Sequence, residues 1–288
     1  MANLGEFIKL EDPGYKSHSN IFKVKNRKSN KYYAASTFRF YSNIDDLIKK
    51  FRADLYFYKI LSHPALMEFS YYSHTDFRGS DNPVIFTDYM ENGSLSNILT
   101  NIDQNEIPKG WNNTKMIINI LGISLGIKYL HDNQIIHLNL KPSKILLDSN
   151  YYPKINYFFT SELINENTEL PVLIGTPYYM APEIIENESV NIKCGIQDFA
   201  FKIDVFSFGM ILYEFYAHSK PVTEGKRAYH VIKNISDGFR PDNSKLEEGP
   251  IKEMIMRCWS EDPDERPSFE EIIENYTMKR EIFWPSDV

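Results

Sequence analysis

The sequence predicts an α+β chain in two lobes: a small β-rich lobe over residues 1–87, a joint at 88–93, and a larger helical lobe over 94–288. Three observations lead there. The first ninety residues carry short aromatic and β-branched runs separated by turn material, which is how strands read. One stretch among them instead repeats apolar residues at three- and four-residue steps, as a helix does. Beyond the joint, helical periodicity dominates and only brief strand-like runs interrupt it. A length of 288 residues is generous for one core and comfortable for two packed lobes.

Taken in order, Phe7–Glu11, Ile21–Lys25 and Tyr32–Phe40 read as strands, set apart by Asp12-Pro13-Gly14 and Lys28-Ser29-Asn30. A helix follows. Ser42 or Asn43 can cap it, Asp45 and Asp46 suit its positive first turn, and no Pro or Gly occurs before Pro64. Leu47, Phe51, Asp54, Tyr58 and Leu61 share one face. Asp54 is the lone acid there, so it has a partner, a function, or a place at the face's margin. Pro83–Thr87 reads as another strand, and Glu91-Asn92-Gly93-Ser94 as a turn that opens a helix. Helical patterns then cover Thr114–Asn133, Phe206–His218, Lys252–Trp259 and Phe269–Lys279, with small strands at Ile145–Asp148 and Lys154–Ile155.

Composition narrows the function. A chain that is 42% hydrophobic and 25% charged is not disordered. Its 32 Lys and Arg against 39 Asp and Glu leave a net charge of −7, which argues against general nucleic-acid binding. Two cysteines, Cys194 and Cys258, are too few for a disulfide framework or a cysteine zinc site. Met1 to Asp12 holds acids where a secretory signal needs an apolar core. Met116–Ile127 is too short, and too interrupted by Asn119 and Ser124, to cross a bilayer. The sequons at Asn92, Asn112, Asn187, Asn234 and Asn275 read as chance, and the expected location is the cytoplasm.

The second half contains phrases that resemble the protein-kinase catalytic domain, in order and correctly spaced. His137-Leu138-Asn139-Leu140-Lys141-Pro142-Ser143-Lys144-Ile145-Leu146-Leu147-Asp148 is similar to the catalytic loop H-R-D-L-K-P-x-N-I-L-L-D. Gly175-Thr176-Pro177-Tyr178-Tyr179-Met180-Ala181-Pro182-Glu183 resembles the end of the activation segment, and Asp204-Val205-Phe206-Ser207-Phe208-Gly209 the start of the buried central helix. The run from Cys258 to Phe269 is similar to C-W-x-x-D-P-x-x-R-P-S-F of tyrosine kinases and tyrosine-kinase-like enzymes. The resemblance implies a bilobal protein-kinase fold, a single domain over residues 1–288.

The same phrases show departures. The glycine-rich loop falls on Gly14 to Ile21, with Lys16 and Ser19 where glycines let backbone N–H groups approach phosphates. The phosphate-gripping lysine falls on Ser36, and its helix glutamate on Asp54. Asn139 replaces the aspartate that accepts the substrate proton, and an amide is no general base. Lys144 and Tyr157 replace the two metal ligands, so no metal site is expected, and Leu138 replaces the arginine that reads phosphorylation. Lys23, on the same strand face as Ile21, is either a migrated phosphate lysine or an ordinary strand lysine. Lys141 survives but is expected to have no catalytic partner.

What the resemblance retains is mostly architecture. Glu183 and Arg266 match a buried ion pair, Asp204 an anchor for the catalytic-loop backbone, and His137, Phe158 and Tyr58 an apolar stack. Ile21, Ala34 and Leu146 match residues that sandwich adenine, and Thr87 precedes hinge residues Asp88, Tyr89 and Met90. Each also reads as plain packing. The connection Asn187–Ala200 is longer than usual: a tolerated insertion or a partner-binding loop. The resulting expectation is a tyrosine-kinase-like pseudokinase, not an enzyme, acting as a scaffold or allosteric regulator of signalling proteins, an active kinase among them. Two alternatives stand beside it: an active kinase with relocated catalytic residues, and a nucleotide sensor that does not hydrolyse ATP. No cofactor is expected, and any ATP binding should be weak and independent of magnesium. The sequence does not specify oligomeric state.

Overall fold

A computed structural model describes residues 1–10, 19–38, 44–157, 160–164, 169–170, 175–186, 190–191, 197–221 and 228–279. The chain divides into two compact units, Met1–Glu91 and Asn92–Val288. The first is an antiparallel sheet with one helix and the second is mainly helical, so the class is α+β, as the sequence predicts.

In the first unit β1 (Phe7–Lys9), β2 (Ser19–Asn26), β3 (Tyr32–Phe38), β4 (Phe69–Ser73) and β5 (Val84–Asp88) pair in the order β1-β2-β3-β5-β4, and α1 (Ile44–Ile60) joins β3 to β4. Alternation along β2 puts Phe22 and Val24 on one face, where they pack with Phe7, Tyr33, Ala35, Val84 and Phe86. Phe7 lies 4.6 Å from Phe86 between ring centroids and meets Tyr33 edge-on at 5.9 Å. Ile21, Lys23 and Lys25 therefore take the opposite face. Asn26 helps close the β2–β3 turn, its Oδ1 accepting the N–H groups of Lys28 and Ser29, both at 2.9 Å. The strand β4 escapes the sequence reading because its Phe-Ser-Tyr-Tyr-Ser run alternates poorly.

The buried stripe of α1 is Leu47, Phe51, Asp54 and Phe57, continued by Leu61 just past the helix end. This corrects the expected face at one position: Tyr58 is 39% exposed and lays its ring on Phe69 at 3.5 Å, while Phe57 enters the core. Steps of three then four, or four then three, both satisfy a 3.6-residue period, and packing chooses between them. Asp54 is fully buried, so it does not sit at the margin.

The second unit runs α2 (Leu95–Asp103), α3 (Asn113–Asp132), β6 (Ile135–Ile136), β7 (Ile145–Leu147), β8 (Pro153–Ile155), β9 (Glu162–Leu163), β10 (Glu169–Leu170), α4 (Pro182–Glu186), β11 (Val190–Asn191), α5 (Gln197–Ala217), α6 (Ala228–Ser236), α7 (Pro250–Cys258) and α8 (Phe269–Met278). Two-residue and three-residue strands pair antiparallel as β6 with β9, β7 with β8 and β10 with β11. The helix α3 starts where Asn112 accepts the N–H of Lys115 at 2.9 Å, and α8 where Ser268 accepts that of Glu271 at 3.1 Å. The helix α5 begins nine residues before the apolar run that announces it, and from Ile203 to Phe215 it is buried nearly all round. At Gly209 an added Cβ would stand 2.7 Å from the Cβ of Cys258, so glycine there lets α7 close on α5. Burial pushes the Cys258 thiol up to about 12, which makes it a packing residue, not a nucleophile.

No helix among the described residues is long and apolar enough to cross a membrane. Ser42, Asn43, Gly14, Lys16, Phe158, Phe159, Thr168, Cys194 and most of Asn187–Ala200 lie outside the described residues.

Candidate functional site

The loop after β6 is held from below by one carboxylate. Asp204, fully buried on α5, accepts the N–H of His137 through Oδ2 at 2.8 Å and that of Leu138 through Oδ1 at 3.0 Å. Leu138 takes the left-handed conformation, φ +64°, with its side chain buried. The two charge-assisted bonds hold a backbone that would otherwise relax. His137 is fully buried. Its Nδ1 accepts the N–H of Asn139 at 3.2 Å, so Nε2 carries the proton and donates to the carbonyl of Asn156 at 3.2 Å. Burial lowers its pKa to about 4, with Lys144 adding to the fall and Asp204 opposing it, so the ring is neutral at pH 7.

Asn139 and Lys141 leave this loop toward Thr176. Lys141 Nζ donates to Thr176 Oγ1 at 2.5 Å, and Thr176 donates onward to Asn139 Oδ1 at 3.1 Å. Lys141, expected to have no catalytic partner, bonds to a hydroxyl 35 residues away. Burial lowers the Lys141 pKa. Gly175 permits the approach. Its φ is +121°, and a Cβ would lie 3.0 Å from the carbonyl oxygen of Leu138. A cavity of about 240 Å³ beside this cluster is lined by Lys141, Ser143, Thr176, Tyr178, Tyr179 and Lys220, among others.

Lys144 and Tyr157 flank the β7–β8 pair, where the carbonyl of Lys144 accepts the N–H of Asn156 at 2.8 Å. Tyr157 is 1% exposed, and its carbonyl accepts the hydroxyl of Ser161 at 2.8 Å. An ammonium and a buried phenol do not fit magnesium, a hard cation that takes carboxylate, carbonyl and water oxygens. Among the described residues no three His, Cys, Asp or Glu side chains group to hold a metal. Leu146, half-buried on β7, bridges to Ser94.

In the first unit, Ala34 on β3 pairs with Thr87 on β5, and Ser36 pairs with Ile21 and Ile85. Thr87 is buried, whereas Ile21 is 38% exposed. Asp88 accepts Lys31 Nζ at 2.8 Å and the Ser70 hydroxyl at 3.0 Å, and Met90 is half-buried beyond the strand. Lys23 stands opposite Ala34, not Ser36, with its ammonium 4.2 Å over the ring of Tyr89 and 5.1 Å over Tyr32. Its charge is engaged at the hinge end of the sheet, which favours the ordinary strand lysine.

Elsewhere in the second unit, Arg266 meets Glu183 through two parallel bonds of 2.6 and 2.9 Å, both side chains buried. Tyr179 donates to Glu214 at 2.6 Å. Burial raises the Glu214 pKa to about 7, against the smaller lowering effects of Tyr179 and Lys220. Neither Thr176 as a bridge nor Glu214 was readable from the sequence. Their partners lie 35 or more residues away, and no local period marks such a contact.

The protein kinase domain family matches residues 10–277, and the chain belongs to it. It is 34% identical over 213 residues to mitogen-activated protein kinase kinase kinase 7 of Homo sapiens, covering 72% of this chain and 33% of that protein. It is 32% identical over 197 residues to a probable serine/threonine-protein kinase of Dictyostelium discoideum, covering 67% and 13%. It is 27% identical over 230 residues to a serine/threonine-protein kinase of Arabidopsis thaliana, covering 80% and 37%. The chain thus spans between 13% and 37% of the length of these curated relatives. These relatives overturn the expectation that the chain is no enzyme: proteins named as serine/threonine kinases match it over most of its length, which points to an enzyme.

Proposed function

We propose that this chain is a protein kinase domain of the tyrosine-kinase-like group that moves a phosphoryl group from ATP to serine or threonine hydroxyls, with part of the usual residue set relocated. The observation that carries this reading is the hydrogen-bonded chain from Lys141 through Thr176 to Asn139. Phosphoryl transfer asks little covalent chemistry of a protein. It needs an aligned acceptor and cations near the transferred group. Asn139 Oδ1 uses one lone pair on Thr176 and keeps a second, which can accept a substrate hydroxyl and aim it. Lys141 and Lys144 supply positive charge in a partly buried setting, where it acts more strongly than in water. The acceptor oxygen bonds to phosphorus as the bond to the leaving ADP breaks, and the hydroxyl proton passes to a phosphoryl oxygen. An amide in place of a base makes this slow, by roughly 10²–10⁴ relative to a carboxylate.

Nucleotide binding in this reading is weak and independent of magnesium. In the first unit Ile21 and Ala34 offer apolar surface; in the second, Lys144 offers phosphate a fixed cation. A role among signalling proteins fits the relatives' names, and a cytoplasmic setting is part of this reading. Docking of such a partner, an active kinase among them, is a second role alongside turnover, favoured by Lys144 and Tyr157 standing where the resemblance implies metal ligands.

The test is transfer of labelled phosphate from ATP to a serine/threonine peptide array and to the chain itself. Incorporation above a mock purification, abolished by Lys141→Ala, supports the reading. No incorporation above the mock overturns it and leaves the docking role.

A further inference from the structure

We infer that the first unit carries a binding site for a phosphomonoester, in a cavity of about 280 Å³ between the sheet and the loop that joins β4 to β5. Strand alternation sets one wall. Asn20 and Phe22 on β2 share a face with Thr37, which pairs with Asn20 across β3. That face is opposite the one holding Ile21, Lys23 and Ala34, and α1 contributes nothing to the lining. The site is therefore separate from the surfaces used in the kinase reading and does not rest on it.

The facing loop is built to present a cation. Asp76 Oδ1 accepts the N–H of Arg78 at 2.8 Å and that of Ser80 at 3.1 Å, and the N–H of Asp76 returns to the Ser80 carbonyl at 3.0 Å. Gly79 turns the chain there with φ +79°. Phe77 anchors the same loop, meeting Phe22 edge-on at 6.2 Å and Phe86 at 6.0 Å. Arg78 thus leaves a pinned turn, and its guanidinium has no partner among the described residues. On the sheet side Lys9 lays its ammonium 4.0 Å over the ring of Phe22, which fixes a second cation at the wall. The buried hydroxyl of Thr37 makes only a long bond of 3.5 Å to the Asn20 carbonyl, and a stronger acceptor displaces such a contact.

Two cations stand here against one carboxylate, Asp76, whose Oδ1 is already committed to its own turn. The cavity is left with an excess of positive charge and with donors spread over two walls. A guanidinium fork matches a planar or tetrahedral oxyanion through two parallel bonds. A carboxylate would satisfy the fork and little else. A phosphomonoester brings three strong acceptor oxygens, enough for Arg78, Lys9 and the Thr37 hydroxyl together. Its carriers are a phosphorylated side chain or free phosphate.

The test follows backbone amide NMR shifts of the full chain with inorganic phosphate, O-phosphoserine and unphosphorylated serine as probes. Both phosphate compounds are expected to shift the amides of Asn20, Phe22, Thr37 and Arg78 saturably, and serine is not. Tighter binding of O-phosphoserine than of inorganic phosphate supports the site with a phosphorylated side chain as carrier; equal binding supports it with free phosphate. Arg78→Gln is expected to weaken binding by about tenfold or more. Arg78 is exposed and glutamine keeps its backbone bond to Asp76, so this variant folds. Lys25→Gln removes a cation from the opposite face of the same sheet and is expected to change binding by less than about twofold. The inference is overturned by the absence of a saturable shift, by Arg78→Gln binding like the parent, or by equal losses in the two variants.

Discussion

The N–H of Leu138 points at Oδ1 of Asp204 from 3.0 Å while Leu138 itself sits at φ +64°. A left-handed non-glycine residue costs on the order of 1–3 kcal/mol. Each hydrogen bond to a buried carboxylate contributes about 1.5–3 kcal/mol, and Asp204 makes two to this loop. The carboxylate therefore wins, and the strain is held. Asp204→Asn keeps the size but turns one acceptor into a donor facing an N–H group. The expected loss is about 2–4 kcal/mol of stability, read from urea unfolding; a loss below half a kcal/mol would show that the loop holds its shape unaided.

Arg266→Ala leaves Glu183 as a buried charge without its bidentate partner. The expected cost is roughly 3–5 kcal/mol. Replacing both residues with apolar ones of similar volume should recover much of it, because the penalty belongs to the orphaned charge more than to the lost attraction. Melting curves of the single and double variants measure both. A double variant no more stable than the single one would refute this partition.

The features legible in the sequence were those that a short phrase encodes. Asp204, Glu183 and Arg266 stood out because phrases around them resemble a known family, and in the structure they make the contacts such a family implies. Period alone found α1 but misplaced one ring, since Phe57 and Tyr58 satisfy the repeat equally and only the neighbouring sheet distinguishes them. The Thr176 bridge was hidden for another reason. Contacts from ammonium to hydroxyl to amide across 35 or more residues leave no periodic trace. For Lys23 strand alternation gave the face and left two readings open; its ammonium lies over Tyr89, a choice made by side-chain reach and ring electrostatics that the sequence does not encode.

The pH dependence of stability should have two opposed limbs. Glu214 has a folded pKa of about 7 against an ordinary 4.5, so between those values the folded chain binds more protons than the unfolded one. Stability is full below about 4.5 on this account and falls as pH rises to about 7. His137 runs the other way: its pKa of about 4 against 6.5 means stability is present above about 6.5 and lost as pH falls toward 4. Each limb amounts to roughly 3 kcal/mol, and they offset one another between pH 4.5 and 6.5. Glu214→Gln keeps an acceptor for Tyr179 and removes one limb. It should match the parent at pH 5 and exceed it by about 2–3 kcal/mol at pH 8. Equal stability of the two at pH 8 would mean that Glu214 ionises freely.

Magnesium should make no difference to nucleotide binding. A divalent cation at a phosphate needs oxygen ligands, and the two positions that the family resemblance assigns to it hold Lys144 and the buried phenol of Tyr157. Near Lys144 a metal would meet a like charge, whereas a phosphate would meet an opposite one. On the proposed reading the nucleotide trades metal bridging for a direct ammonium contact, which is weaker because one charge replaces two. The melting temperature of the chain should rise by the same small amount with ATP whether magnesium or EDTA is present. Lys144→Ala should abolish that rise in both conditions. The double change Lys144→Asn with Tyr157→Asp should instead make the shift larger with magnesium than with EDTA, because it returns two oxygen ligands and removes the competing cation. ATP affinity in the unmutated chain that strengthens with magnesium and disappears with EDTA would show that another part of the chain supplies metal ligands, and the assignment of Lys144 as the phosphate cation would fall.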